Sequence, residues 1–151
     1  MMKIAIASDH GGYALKEALK KHLEERQTEY LDCGTDSAAS CDYPDFAEKA
    51  CRLVQNGEAD RAVLICGTGI GMCISANKMT GIRAALCGET YSARFTRAHN
   101  DANVLCMGAR VTGEGLAEMI LDEFLDTEFE GGRHQRRIDK IAEIERKEHH
   151  V

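Results

Sequence analysis

Short apolar runs separated by longer amphipathic stretches constrain this chain more than any other feature. Five runs have strand character: Lys3–Ser8, Glu29–Cys33, Arg61–Cys66, Ile82–Cys87 and Asn103–Met107. Between them lie segments of helical period at Gly12–Gln27, Tyr43–Gln55, Met72–Lys78, Tyr91–Asn100 and Gly113–Leu125. In the first of these Leu15, Leu19 and Leu23 recur every four residues, which places them on one helix face. Pro44, the sole proline, falls in the first turn of the second, where a missing N–H is tolerated. Strands alternating with helices predict a parallel sheet covered on both faces. The core of the third run, Val63-Leu64-Ile65, reads as a strand buried on both sides. We therefore expect an α/β fold: a three-layer, doubly wound, five-stranded parallel sheet, Rossmann-like, in the order 2-1-3-4-5. After an interruption at Asp126–Gly132, a charged helix is predicted over Arg133–Lys147. No repeat or linker splits the chain, so one domain is expected over 1–151, with an α/β core at 1–130 and a C-terminal helical arm at 131–148.

Composition narrows the function classes. A net charge of -6 argues against a general nucleic-acid binder, yet leaves room for a local arginine cluster that holds one small anion. Seven cysteines occur with no C-x-x-C pair and no zinc-ligand spacing, so no metal site is expected. That pattern fits a reducing cytosol. The first apolar run is too short for a signal peptide and no run reaches membrane-spanning length. A cytoplasmic protein without membrane or nucleic-acid partners is the expectation.

In an open parallel sheet, ligands sit at the carboxyl ends of the strands, where the strand order reverses. Here that crevice lies between strands one and three, and the two least ordinary turns follow those strands. The first is Ser8-Asp9-His10-Gly11-Gly12 and the second is Cys66-Gly67-Thr68-Gly69-Ile70-Gly71. Three alternate glycines allow backbone N–H groups to converge into an anion-binding nest at a helix start. The spacing is neither that of a Walker loop nor of the dinucleotide fingerprint, because Met72 and Ile74 stand where glycines are required. Cys66, at the tip of a buried strand and facing those amides, is a candidate thiolate. Taken alone it reads equally as a core thiol, as we read Cys51, Cys73 and Cys106. His99-Asn100-Asp101 closes a helix, where a histidine also suits the helix dipole. Arg110 follows strand five. Arg133 and Arg137, four apart, share a helix face suited to clamping a phosphate, and read equally as an exposed basic face.

The set Asp9-His10-Gly11-Gly12, Asp42-Tyr43-Pro44, Cys66–Gly71, Ala76-Asn77-Lys78, Gly81-Ile82-Arg83, His99-Asn100-Asp101 with Asn103, and Gly131-Gly132-Arg133-His134 resembles the type B ribose-5-phosphate isomerases over nearly the whole chain. The wider family also contains galactose-6-phosphate isomerase subunits and an allose-6-phosphate isomerase. The resemblance implies an enzyme of the pentose phosphate pathway, an intramolecular oxidoreductase without cofactor or metal, working through a cis-enediolate. By it Cys66 is the base at C2 of ribose 5-phosphate, assisted by Thr68. The amides of Gly67, Thr68, Gly69, Ile70 and Gly71 receive the enediolate oxygen. His99 opens the furanose ring. Asp9, His10 and Asn100 contact sugar hydroxyls, while Arg110, Arg133 and Arg137 hold the phosphate. The family implies a homodimer with active sites at the interface, and leaves a tetramer open. Some branches carry a glutamate base in place of the cysteine; here Ser75 stands near where that glutamate falls.

Two readings compete with ribose 5-phosphate isomerisation. One is an isomerase of a six-carbon sugar phosphate, allose 6-phosphate or galactose 6-phosphate, which pocket length decides. The other is a non-catalytic sugar-phosphate or nucleotide binding module on the same fold. Cys66 and His99 together favour catalysis, since a binding module needs neither thiolate nor proton shuttle. A flavin protein is disfavoured by 5% aromatic residues and no tryptophan.

Overall fold

A computed structural model describes residues 1–148; positions 149–151 of the expected single domain lie outside the described residues. Five strands, β1 (Lys3–Ser8), β2 (Glu29–Asp32), β3 (Arg61–Cys66), β4 (Ala84–Leu86) and β5 (Val104–Gly108), form one sheet in which every pairing is parallel. Six α-helices connect and extend them: α1 (Tyr13–Glu25), α2 (Tyr43–Gln55), α3 (Ile70–Ala76), α4 (Thr90–Asn100), α5 (Glu114–Asp126) and α6 (Arg133–Glu148). The strands bury alternate residues on opposite faces. Ile4, Ile6, Val63, Ile65, Leu105 and Met107 pack under α1, α4 and α5, where Leu19, Ala93, Ile120 and Phe124 meet them. Ala5, Ala7, Leu64, Cys66 and Cys106 face the other way, against Ala47, Ala50 and Cys51 of α2 and Met72 and Ala76 of α3. The expected three layers are present. Among the described residues no helix is long and apolar enough to cross a membrane.

The strand order is β2-β1-β3-β5-β4, which corrects the expected 2-1-3-4-5 at its last two places. The reason is apolar content. All five residues of β5 are buried, whereas β4 has three residues, two half-buried and one exposed. A parallel sheet keeps its fully apolar strands inside and its short ones at the edge. Insertion of β5 beside β3 sets Cys66 in register with Gly108, so Arg110 emerges next to the cysteine. Other departures are small. Helix α3 begins at Ile70, two residues before the expected Met72, and β4 is shorter than Ile82–Cys87.

The carboxyl ends of β1, β3 and β5 are joined backbone to backbone. The Asp9 N–H donates to Ile65 O (3.2 Å), Ala109 N–H to Cys66 O (2.9 Å) and Arg110 N–H to Gly67 O (3.0 Å). Glycine is required at two of these contacts. A Cβ on Gly12 would lie 2.5 Å from Ile65 O, and one on Gly108 would lie 2.5 Å from the Thr68 carbonyl carbon. At the outer end, Lys16 of α1 is fully buried, and its ammonium reaches both carboxylate oxygens of Asp32 at 2.8 and 2.9 Å. Asp32 also accepts the Gly34 N–H (2.9 Å). This pair anchors the start of the loop between β2 and α2. Lys20 reaches the same carboxylate (2.8 Å) and Glu17 reaches Lys16 (3.1 Å), so the pair belongs to a four-residue charge network.

Gly108→Ala should destabilise the protein by roughly 1–3 kcal/mol, because backbone atoms cannot yield to the new methyl group. Gly88→Ala, at a site with open space, should shift stability by less than about 0.5 kcal/mol. Urea midpoints of the two variants check this; equal midpoints would show that the close approach does not constrain the fold.

Candidate active site

Two groups of side chains contain every residue singled out from the sequence, and the fold sets them at opposite ends of the sheet. The first group lies at the carboxyl ends. Asp9 opens a 3-10 turn, His10–Gly12, by accepting the Gly12 N–H on its carboxylate (3.1 Å). It is 7% exposed. His10 is held by the loop after β2, through a hydrogen bond from the Cys41 N–H to its Nδ1 (3.2 Å). An acceptor at Nδ1 places the ring proton of a neutral imidazole on Nε2.

Cys66 ends β3 with 4% of its surface exposed. Its sulfur accepts the N–H of Gly69 at 3.2 Å. Gly69 takes φ +79° and caps α3, a left-handed conformation that favours glycine. Thr68 accepts the Ile70 N–H on its hydroxyl (3.2 Å), a local bond that braces the turn before α3. Asp9, Gly67 and Arg110 converge over Gly11. A Cβ built there would lie 3.3 Å from Asp9 Oδ1, 3.5 Å from Gly67 N and 3.6 Å from Arg110 Nη2. A carboxylate, a backbone donor and a guanidinium thus share one small volume, next to the turn that holds the cysteine. Ser75, one turn along α3, returns its hydroxyl to Gly71 O (2.8 Å) and offers no base.

The second group gathers where α4 meets α6. Helix α4 leaves the carboxyl end of β4 and runs back, so His99 and Asn100 finish at the amino end of the sheet. Arg83, just before β4, fixes them there: its Nε donates to Asn100 O (3.1 Å) and its Nη2 to Asp101 O (2.8 Å). The length of β5 separates this end from Cys66, on the order of 16 Å at about 3.3 Å per residue. The His99 ring stacks on His134, with centroids 4.1 Å apart and planes 9° apart. Glu130 lies beside both, 3.9 Å from His99 Nε2 and 3.8 Å from His134 Nε2, and its N–H is tied to Ala98 O (3.0 Å). Arg133 and Arg137 stand exposed on either side of His134 in α6. Within one chain, therefore, Cys66, Thr68, Asp9, His10 and Arg110 come together, while His99, Asn100, Arg133 and Arg137 form a separate cluster.

His99, Glu130 and His134 offer three ligand atoms within 4.8 Å of one another. Face-to-face rings, however, point their in-plane lone pairs in parallel, and two imidazoles bind one ion only when those lone pairs converge. The trio reads as a stacked, carboxylate-flanked pair. Burial, reinforced by the neighbouring His99 and Arg133, pushes the His134 imidazole below the ordinary histidine range.

The sequence reading assigned no role to three residues placed at these sites. Tyr43, at the start of α2, lays its ring over Gly71, where a Cβ would meet the ring 2.6 Å away. The signal for it was the Asp42-Tyr43-Pro44 motif, which marked a helix start and the family resemblance but gave Tyr43 no role of its own. Glu130 and His134 lay beside the arginines, and the stacking on His99 depends on a helix packing that no local pattern encodes.

The ribose/galactose isomerase family model matches residues 4–141. The chain is 50% identical to ribose-5-phosphate isomerase B of Escherichia coli over 147 residues, covering 97% of this chain and 99% of that protein. It superposes on a Clostridium thermocellum ribose-5-phosphate isomerase B with a TM-score of 0.95 at 53% identity, covering 97% of this chain and 99% of the other. A Mycoplasma genitalium ribose-5-phosphate isomerase B with bound ribulose-5-phosphate matches with a TM-score of 0.90 at 44% identity, over 96% and 97% of the two chains.

The chain belongs to the ribose/galactose isomerase family. The sheet with β5 beside β3 superposes on the solved ribose-5-phosphate isomerase B structures, so the fold is shared with them.

The stacked histidines give a pH dependence with a defined sign. The folded state lowers the His134 pKa, so folding favours its neutral form. The stability tied to that form is complete above the unfolded value near 6.5 and is lost as pH falls through it. In an NMR titration the His134 ring should change protonation at lower pH than a free histidine; titration at or above the free value would contradict the packing described.

Proposed function

We propose that this chain is an aldose–ketose isomerase that interconverts D-ribose 5-phosphate and D-ribulose 5-phosphate through a cis-enediolate. The observation that carries the reading is the sulfur of Cys66, placed at the tip of the central strand and accepting the Gly69 N–H at 3.2 Å, beside the convergence of Asp9, Gly67 and Arg110. The relative from Mycoplasma genitalium, with bound ribulose-5-phosphate, supports a five-carbon substrate over a six-carbon one.

The chemistry assigns each group a task. With the sugar in its open form, the Cys66 thiolate removes the proton on C2. The electron pair moves into the C1–C2 bond and the aldehyde oxygen O1 takes the negative charge. Backbone amides of Gly67–Gly71, fixed before the charge appears, stabilise that oxygen without reorganising. The thiol returns its proton to C1, and a proton crosses from O2 to O1, leaving a ketone at C2. Hydrogen moves only as protons and the carbon skeleton is redox-neutral overall, so the step consumes no external oxidant or reductant. Thr68 holds the turn in shape. Asp9 and His10 bind sugar hydroxyls.

His99 and Asn100 complete the site from a second copy of the chain. Their separation from Cys66 within one chain, by the length of the sheet, supports this arrangement. A shared apolar surface supports it too. Ile70 and Ile74 of α3, Leu86 of β4, and Ile141 and Ile144 of α6 are exposed by between 42% and 61%. A hollow of about 540 Å³ between β4 and α6 is lined by Asn100 together with Ile82, Ile141 and Ile144. Two copies joined there form a homodimer, with His99 protonating the ring oxygen of the sugar bound to the other copy. Arg110 of one copy and Arg133 and Arg137 of the other clamp the phosphate. All seven cysteines are free thiols, as suits a cytoplasmic enzyme.

Cys66→Ala should lower kcat for ribose 5-phosphate by at least roughly 10³-fold, the scale expected for loss of a base in the chemical step. Substrate affinity should stay within a few fold, because phosphate and hydroxyl contacts remain. A steady-state assay paired with equilibrium binding of ribulose 5-phosphate checks this, and near-normal turnover in the variant would remove Cys66 as the base.

A further inference from the structure

The strap between α5 and α6 hangs on the end of α4 at two points. Arg97 Nε donates to Thr127 O (3.4 Å), and the Glu130 N–H donates to Ala98 O (3.0 Å). The second bond is made by the residue before His99, so the Glu130 side chain emerges against that histidine. Its Oε1 lies 3.9 Å from His99 Nε2 and 3.8 Å from His134 Nε2. Among the described residues no other carboxylate comes within 4.0 Å of either ring. Stability does not account for this placement. The Glu130 side chain is 53% exposed, and exposed ion pairs contribute little to folding.

The two rings differ in what they can carry. Stacked with centroids 4.1 Å apart, two imidazolium ions would repel, so the pair holds at most one positive charge. The His134 side chain is 7% exposed against 37% for His99, and its buried Nε2 has no hydrogen-bond partner. Charging that ring would strand a cation away from water. Burial first, then His99 and the α6 arginines Arg133 and Arg137, lower the His134 pKa. Of the two, His99 is the ring that can carry the charge, and a carboxylate beside its Nε2 favours the charged form. The other neighbours of His99 do not compete for that position. Phe95 packs its ring on the imidazole (centroids 5.0 Å apart), and Asp101 is taken up by Arg83 and Arg97.

We propose that Glu130 is a positioning residue for ring opening, its carboxylate holding the proton at Nε2 of His99 and fixing the direction of that ring. The inference rests on the reading of His99 as the acid that opens the furanose of the sugar bound to the other copy. In that step the C1–O4 bond breaks and O4 takes the proton from His99. The C1 hydroxyl gives its own proton to water and becomes the aldehyde, and the imidazole regains a proton from water. Glu130 donates nothing; it keeps the acid loaded.

Turnover of ribose 5-phosphate compared with that of 4-deoxyribose 5-phosphate tests this, because the missing C4 hydroxyl keeps the second sugar open. Glu130→Gln should lower kcat/KM for ribose 5-phosphate by roughly tenfold, a part of the 10²–10⁴ that a positioned acid supplies. Its loss on the open analogue should be about fivefold smaller or less. With ribose 5-phosphate the alkaline limb of its rate–pH profile should move to lower pH, since the acid unloads earlier. Glu130→Asp, which keeps the charge, should restore part of both. In a His99→Asn background Glu130→Gln should have no further effect, as expected of a residue that acts through His99. No loss in Glu130→Gln, equal losses on the two sugars, or a full additional loss in the His99→Asn background would overturn the proposal. Equal losses on both sugars in His99→Asn alone would instead overturn the ring-opening role of His99 itself, and the proposal with it.

Discussion

The architecture rests on a place where three backbones touch. The turns after β1 and β3 and the end of β5 approach so closely that Gly12 and Gly108 have no room for a side chain. Hydrogen bonds from Asp9, Ala109 and Arg110 hold the contact. Interiors are packed densely enough that one methyl group at such a point must displace main chain. What this rigidity secures is a direction. The Gly69 N–H is aimed at the sulfur of Cys66, and Asp9 and Arg110 are brought to one side of it. On the proposed reading, a base that removes a proton from carbon depends on donors already in place when charge develops, and rigid glycine turns provide them without the cost of moving.

The same rigidity explains why one chain carries only part of the proposed machinery. A helix that follows a parallel strand must run back along it, so whatever closes α4 arrives at the far end of the sheet from whatever closes β3. His99 and Cys66 are therefore kept apart by topology, and no loop movement of ordinary size unites them. On the proposed reading, symmetry resolves this: a two-fold pairing makes each cluster complete its counterpart twice. The exposed isoleucines of α3 and α6 and the hollow beside Asn100 lie on the surface such a pairing covers. His134, stacked on His99 and with its pKa lowered by burial, is placed to fix the orientation of the ring to which that reading gives the sugar's proton.

Much of this was legible in the sequence because it is local. Strand and helix positions followed from periodicity within a few residues of their ends, since apolar spacing is a property of short segments. The two turns at the carboxyl ends of β1 and β3 were legible for a related reason: Asp9-His10-Gly11-Gly12 and Cys66–Gly71 announce their backbone demands. The order of β4 and β5 was not, because it turns on which of two strands gains more from full burial, a comparison between segments. The stacking of His134 on His99 and the ring of Tyr43 above Gly71 were hidden for the same reason. Each is made by elements far apart in the chain, and each of these residues has an unremarkable local setting.

The central claim is that Cys66 and His99 act together across two copies of the chain, and one measurement addresses it directly. Cys66→Ala and His99→Asn chains, each inactive alone, are co-expressed with different affinity tags and the doubly tagged dimer is purified. If the two clusters meet between copies, one site in each mixed dimer keeps both native residues while the other loses both. The mixed dimer should then turn over ribose 5-phosphate at about half the wild-type rate. A mixed dimer as inactive as either parent would contradict the account, because it would mean that each site draws its base and its acid from a single chain.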